Sequence, residues 1–176
     1  VLTEDGYDTI DTLVHWKHKE IRKWCELKTK LPPTRGGVTY GDRKIKALQA
    51  LAHDLDVMIC LGETLEERRA GLAEQIVIDQ LHASLPANLL DGDDGLYGRV
   101  MIAYEPVWAI GTGEVASVDD IVSMHRAIAS ELPKIQNGHN PSMPILYGGS
   151  VNADNAKAIF AIDHVGGALV GGASLD

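Results

Sequence analysis

The chain has 176 residues, 45% hydrophobic and 23% charged, which suits one substantial soluble core. Its Lys and Arg number 16 against 25 Asp and Glu, a formal charge of −9 that is unevenly placed: residues 1–50 hold ten cations against seven anions, and residues 51–176 six against eighteen. An acidic body excludes a nucleic-acid footprint, and no apolar run of ~18 residues or basic-then-apolar start points to a membrane, so a cytoplasmic protein is expected.

In chain order, Ile10, Leu13, Val14, Ile21, Trp24, Cys25 and Leu27 fall at helical spacing, predicting an amphipathic helix from about Asp8 to Lys30. Pro32-Pro33 ends it, and Thr34 to Gly41 reads as a loop. Asp42 is the expected cap of a second helix carrying Ile45, Leu48, Leu51 and Leu55. Strand and helix then alternate. Val57 to Leu61 is a strand, Leu65 to Leu85 a long helix, and Asp91 to Gly98 a glycine and aspartate loop. Val100 to Tyr104 is the second strand, followed by a helix from Val118 to about Leu132 with Ser117 as N-cap and Asp120 at the capping-box position. Pro144 to Tyr147, a short helix over Ala153 to Ala161, and a strand over Val165 to Val170 complete the pattern. Repeated βα units with nearly uninterrupted apolar strands specify an α/β fold with a parallel sheet. Cys25 and Cys60 lack CxxC or His-ligand spacing, so neither a disulfide framework nor a metal site is expected, and Cys60 reads as a buried free thiol.

One segment carries more chemistry than the rest. From Ala103 through Tyr104-Glu105-Pro106-Val107-Trp108-Ala109-Ile110-Gly111-Thr112 to Gly113, a carboxylate follows an apolar strand and precedes a stiff Pro-Val-Trp and a glycine-flanked tip. That is the layout of a base with a lid. The segment resembles the base-and-lid motif of the triosephosphate isomerase family. Ile145 to Asn152 (ILYGGSVN) and Gly166 to Leu175 (GGALVGGASL) resemble that family's seventh and eighth loops, and Met58 to Thr64 (MICLGET) its fifth strand. The four arrive in the family's order from about Leu48 to the end.

The resemblance implies parallel (β/α) units of a TIM barrel, incomplete, with about four strands matching strands five to eight. A full barrel needs about 250 residues. Residues 42–176 are then the partial barrel, and residues 1–41 an extra N-terminal helical segment to which the sequence assigns no role. Glu105 is implied as the catalytic base. Pro106, Val107 and Trp108 would form the first hinge, Ala109 to Gly113 the tip, and Glu114, Val115 and Ala116 the second hinge, with Glu114 where the family commonly has lysine. Tyr147 reads either as the partner of the closed lid or as a packed core tyrosine. Gly111, Ser150, Gly171 and Gly172 match positions whose backbone N–H groups surround a substrate phosphate, a mode of binding open to an acidic protein.

The implied reaction is interconversion of dihydroxyacetone phosphate and glyceraldehyde 3-phosphate in glycolysis and gluconeogenesis, with a small phosphorylated triose as substrate, no cofactor, no metal and a homodimeric state. The family's electrophiles come from the Asn-x-Lys motif of its first strand and from a Gly-His-Ser-Glu-Arg-Arg motif after its fourth strand, and neither of these two segments has a counterpart here. His15, Lys17 and His18 only superficially echo the first. Two alternatives therefore stand: a non-catalytic fragment or phosphate-binding module needing a complementing partner, and a related isomerase of a four-carbon sugar phosphate.

Overall fold

A computed structural model describes residues 40–53, 55–86, 99–110, 114–136 and 143–170. The expected helix over 8–30, the loop over 91–98, and Gly111, Thr112, Gly113, Gly171 and Gly172 lie outside the described residues.

The described residues form, in order, α1 (Tyr40–Ala52), β1 (Val57–Leu61), α2 (Leu65–Arg69), α3 (Ala73–Ser84), β2 (Val100–Tyr104), a 3₁₀ turn (Val107–Ala109), α4 (Val118–Ile135), β3 (Ile145–Tyr147), α5 (Ala156–Phe160) and β4 (Gly167–Ala168). The strands form one parallel sheet in the order β1-β2-β3-β4. Val57 pairs with Val100, Leu61 with Tyr104, Tyr104 with Tyr147, and Tyr147 with Ala168. This is the α/β architecture expected of a partial barrel.

Period-two alternation assigns the two faces of the sheet. Val57, Ile59 and Leu61 lie in register with Val100, Ile102 and Tyr104, and all six are buried beneath the helices. Helices α1 and α3 pack on β1, and α4 packs on β3. Ile45, Leu48 and Leu51 of α1, Val77 and Leu81 of α3, and Ile121, Met124 and Ile128 of α4 are the buried stripes that make this contact. The opposite face belongs to Met58, Cys60, Met101, Ala103 and Leu146, of which Met58 and Cys60 are exposed and Ala103 is buried.

Four expectations change. The helix expected over Leu65 to Leu85 is two helices, because Gly71 adopts φ +74° and turns the chain between α2 and α3. Asp42 falls within α1, which spans Tyr40–Ala52, and not before it. Cys60 is exposed, because it lies on the edge strand β1 and on the sheet face away from the helices. The last strand has only two residues in regular pairing, although backbone bonds from Gly166 N to Ile145 O and from Leu169 N to Tyr147 O extend the ladder on both sides. The capping box of α4 forms as expected: Ser117 Oγ accepts from Asp120 N, and Asp120 Oδ2 accepts from Ser117 N. The helix runs past Leu132, through Pro133, to Ile135.

Candidate active site

The parallel ladder continues beyond the strands and places Glu105. Glu105 N donates to Leu61 O at 2.7 Å, Gly148 N to Tyr104 O at 2.8 Å, and Val107 N to Glu63 O at 3.0 Å. The carboxylate therefore stands at the C-terminal end of the sheet, the end at which barrel enzymes carry their chemistry. Two glycines make its room. A Cβ at Gly62 would lie 1.8 Å from Glu105 O, and one at Gly148 would lie 2.5 Å from Glu105 Cγ. Gly62 is itself pinned by Gln80 of α3, whose amide accepts from Gly62 N and donates to Gly62 O, both at 2.9 Å.

Immediately behind Glu105 is a buried carboxylate. Glu63 is fully inaccessible, and its Oε1 accepts from Trp108 Nε1 at 2.9 Å, from the Tyr104 hydroxyl at 3.2 Å and from Arg68 at 2.9 Å. Three donors, one of them charged, satisfy that oxygen; Glu63 Oε2 is buried without a protein partner. Arg68 also lies over the Trp108 ring, with Cζ 5.2 Å from the centroid, and its other terminal nitrogen pairs with Asp120. Burial and then the Glu63 charge push the Tyr104 phenol well above its ordinary range, so this hydroxyl is a donor at neutral pH.

Among the described residues after Glu105, buried positions alternate with exposed ones. Pro106 and Ala109 are buried beside the 3₁₀ turn, and Ala116 is buried just before the α4 cap. Val107, Ile110 and Val115 remain 46%, 46% and 45% exposed, which is apolar surface that a movement toward Glu105 would have available to bury. Glu114 is exposed.

Tyr147 is buried, its ring 6.3 Å from that of Tyr104 and 6.4 Å from that of His125. Its hydroxyl points to where a Gly149 Cβ would lie, 2.1 Å away. Burial raises the phenol's pKa and the nearby Ala116 amide moderates the rise, although the amide is not in hydrogen-bonding geometry and the hydroxyl has no protein partner. Tyr147 is thus a core ring whose polar end faces the end of the expected second hinge. Ser150 is half-buried in the following loop, where its carbonyl accepts from Asn155 Nδ2 at 3.0 Å; Asn152 and Asn155 brace the same turn through their side chains.

Cys60 is exposed as a residue, yet its thiol lies against Glu105. Desolvation first, then the hydrogen bond and charge of Glu105, push the thiol up to about 12. It is a neutral neighbour of the carboxylate. A cleft of about 680 Å³ lined by Arg126, Ser130, Met143, His164 and Gly166 among others sits at the opposite end of the strands, away from these groups. Among the described residues, no group of three or more His, Cys, Asp or Glu is arranged to hold a metal, and no helix is long and apolar enough to cross a membrane.

Sequence reading missed Glu63, Arg68 and Gln80. Glu63 was visible as a second carboxylate just after a strand, at the same end as Glu105. Thr64 and Glu67 form a capping box on α2 that matches the [ST]-x-x-[DE] pattern, which fixes where Arg68 projects. Gln80 left no signal, since its role depends on which strand end α3 crosses.

Comparison with known proteins agrees with this geometry. The family model described as triosephosphate isomerase matches residues 39–176. The chain is 50% identical over 143 residues to the triosephosphate isomerase of Caulobacter vibrioides, covering 81% of this chain and 54% of that protein. It is 47% identical over 142 residues to that of Marinobacter nauticus (79% and 53%) and 48% identical over 131 residues to that of Acidiphilium cryptum (74% and 52%). The chain spans about half the length of these curated relatives. With a matching family model over most of its residues and a parallel βα sheet carrying Glu105 at its C-terminal end, the chain belongs to the triosephosphate isomerase family.

Proposed function

We propose that this chain supplies the base, the lid and the phosphate-gripping loops of an aldose-ketose isomerase that interconverts dihydroxyacetone phosphate and glyceraldehyde 3-phosphate in glycolysis and gluconeogenesis. The observation that carries this reading is Glu105 at the C-terminal end of the sheet, set between Gly62 and Gly148 and followed at once by the anchored Trp108. Glu105 would take a proton from the carbon bearing the hydroxyl and return it to the adjacent carbon through an enediolate. Residues 106–116 would close over it, desolvating the carboxylate and keeping water from an intermediate able to eliminate its phosphate. In triosephosphate isomerase generally, a glutamate base, a neutral histidine and loop closure act together; that pattern comes from the family, not from this chain.

Ser150, with Gly111, Gly171 and Gly172, would present backbone N–H groups to the phosphate, and Tyr147 would meet the closed lid through its free hydroxyl. Residues 42–176 are the barrel portion in this reading, residues 1–41 a separate helical segment, and the assembled enzyme a cytoplasmic homodimer. The lysine and histidine that would stabilise the enediolate must come from outside the motifs present here.

A second reading is favoured by the exposed inner face at Met58 and Cys60: a phosphate-binding portion that turns over substrate only when further strands cover that face. A coupled isomerase assay separates the two, using the chain alone and after mixing with the N-terminal half of the Caulobacter vibrioides relative. Activity only after mixing supports the second reading, full activity alone removes it, and no activity in either case contradicts the assignment as an isomerase. Comparing triose with four-carbon sugar phosphates in the same assay decides the substrate.

A further inference from the structure

We infer that Arg68 is a positioning residue that fastens both hinges of the lid to a single guanidinium. The inference rests on reading residues 106–116 as a lid. One terminal nitrogen, Nη1, donates to Glu63 Oε1 at 2.9 Å, and the same oxygen holds Trp108 Nε1 at 2.9 Å, so the first hinge hangs on Arg68 through Glu63. The Arg68 plane also lies over the Trp108 ring. The other nitrogen, Nη2, pairs with Asp120 Oδ1. Asp120 Oδ2 accepts from Ser117 N at 3.3 Å and from Ser117 Oγ at 2.6 Å, and Ser117 directly follows Ala116, the end of the second hinge.

The two hinges, about eight residues apart in sequence, therefore share one rigid fork. A guanidinium suits this role because its donors are fixed in a plane and serve two carboxylates at once; a lysine ammonium is one point charge. The Glu63 side is buried and the Asp120 side is 37% exposed, so the linkage has a firm arm and a yielding one. Loosening the yielding arm should be felt by Trp108, which shares Glu63 Oε1 with Arg68.

The test is fluorine NMR on the full chain carrying fluorinated tryptophan, with the Trp108 signal identified by its loss in Trp108→Phe. Asp120→Asn keeps an oxygen for Ser117 but turns an amide NH₂ toward Arg68. It should shift the Trp108 signal and change its exchange rate by about threefold or more. Arg68→Lys should do the same, and the double variant should add little to either, as expected of groups acting through one fork. An unmoved Trp108 signal in Asp120→Asn, or additive effects in the double variant, would overturn the inference and leave Arg68 a partner of the first hinge alone. Should Arg68→Lys fail to fold, Asp120→Asn decides the matter alone. The readout needs no substrate, so its failure is distinct from failure of the lid reading, which is tested by turnover of Trp108→Phe in the completed barrel.

Discussion

Gly148 leaves the space that the Glu105 side chain occupies: a Cβ there would stand 2.5 Å from Glu105 Cγ and 3.3 Å from its carboxylate carbon and Oε1. The corresponding Cβ at Gly62 would strike the Glu105 carbonyl instead, at 1.8 Å. One glycine thus makes room for the functional group and the other for the backbone that carries it.

Gly148→Ala should therefore displace the carboxylate while the fold survives, since a side chain can rotate away from the intrusion. Gly62→Ala forces backbone apart between β1 and β2 and should destabilise by about 1–3 kcal/mol, in the range of overpacked cores. Thermal unfolding of the two variants, with turnover in the completed barrel, checks the contrast. Equal stability losses would show that the two glycines do not divide the work in this way.

Trp108→Phe removes one of three donors from the buried Glu63 Oε1. A buried carboxylate that loses a hydrogen bond costs about 1–2 kcal/mol, read as a lowered midpoint in urea with the slope unchanged. A stability within experimental error of the parent would mean that Glu63 finds a replacement donor when the indole is gone.

His125 is buried, with its Nδ1 3.2 Å from His164 O, which fixes the proton on that nitrogen. Burial lowers its pKa, outweighing the rise from that carbonyl. The unfolded chain therefore binds a proton before the folded one does. Stability is complete above the unfolded value of about 6.5 and falls as pH drops from there through the lowered folded value. His125→Phe should be less stable at pH 7.5 but show a flatter pH profile between about pH 5 and 7. Parallel profiles would assign the acid sensitivity elsewhere.

Cys60 is exposed but protonated, its thiol raised to about 12 by desolvation and then by Glu105. In a Cys25→Ser background, its alkylation by iodoacetamide at pH 8.5 should be slower than that of an ordinary thiol by a factor on the order of 10² or more. Glu105→Gln should speed it up only partly, because desolvation remains. Ordinary reactivity in the parent would show that the thiol is not held against the carboxylate.

The strands β1 and β2 and the start of α4 were legible because local patterns decide them: apolar runs closed by Gly62 or Glu105, and Ser117 three residues before Asp120. The break at Gly71 was not, since a single glycine in a polar helical stretch looks tolerable until the chain must turn there. The exposure of Cys60 was misread because an apolar strand says nothing about which of its faces is covered. The place of Glu105 just after β2 was legible from the apolar run before it, whereas its role and those of the hinge residues rest on the family resemblance. The groups that hold them act across the sequence, Gln80 on Gly62 over 18 residues, Glu63 on Trp108 over 45 and Arg68 on Asp120 over a longer span still, and became visible only in three dimensions.

The most direct test replaces Glu105 by glutamine in a barrel completed with the N-terminal half of the Caulobacter vibrioides relative. Turnover of dihydroxyacetone phosphate should fall by about 10²–10⁴, the range for loss of a positioned general base, together with exchange of the substrate's carbon-bound proton with deuterated water. Binding of 2-phosphoglycolate should persist. Turnover and exchange at the parent's level would contradict Glu105 as the base.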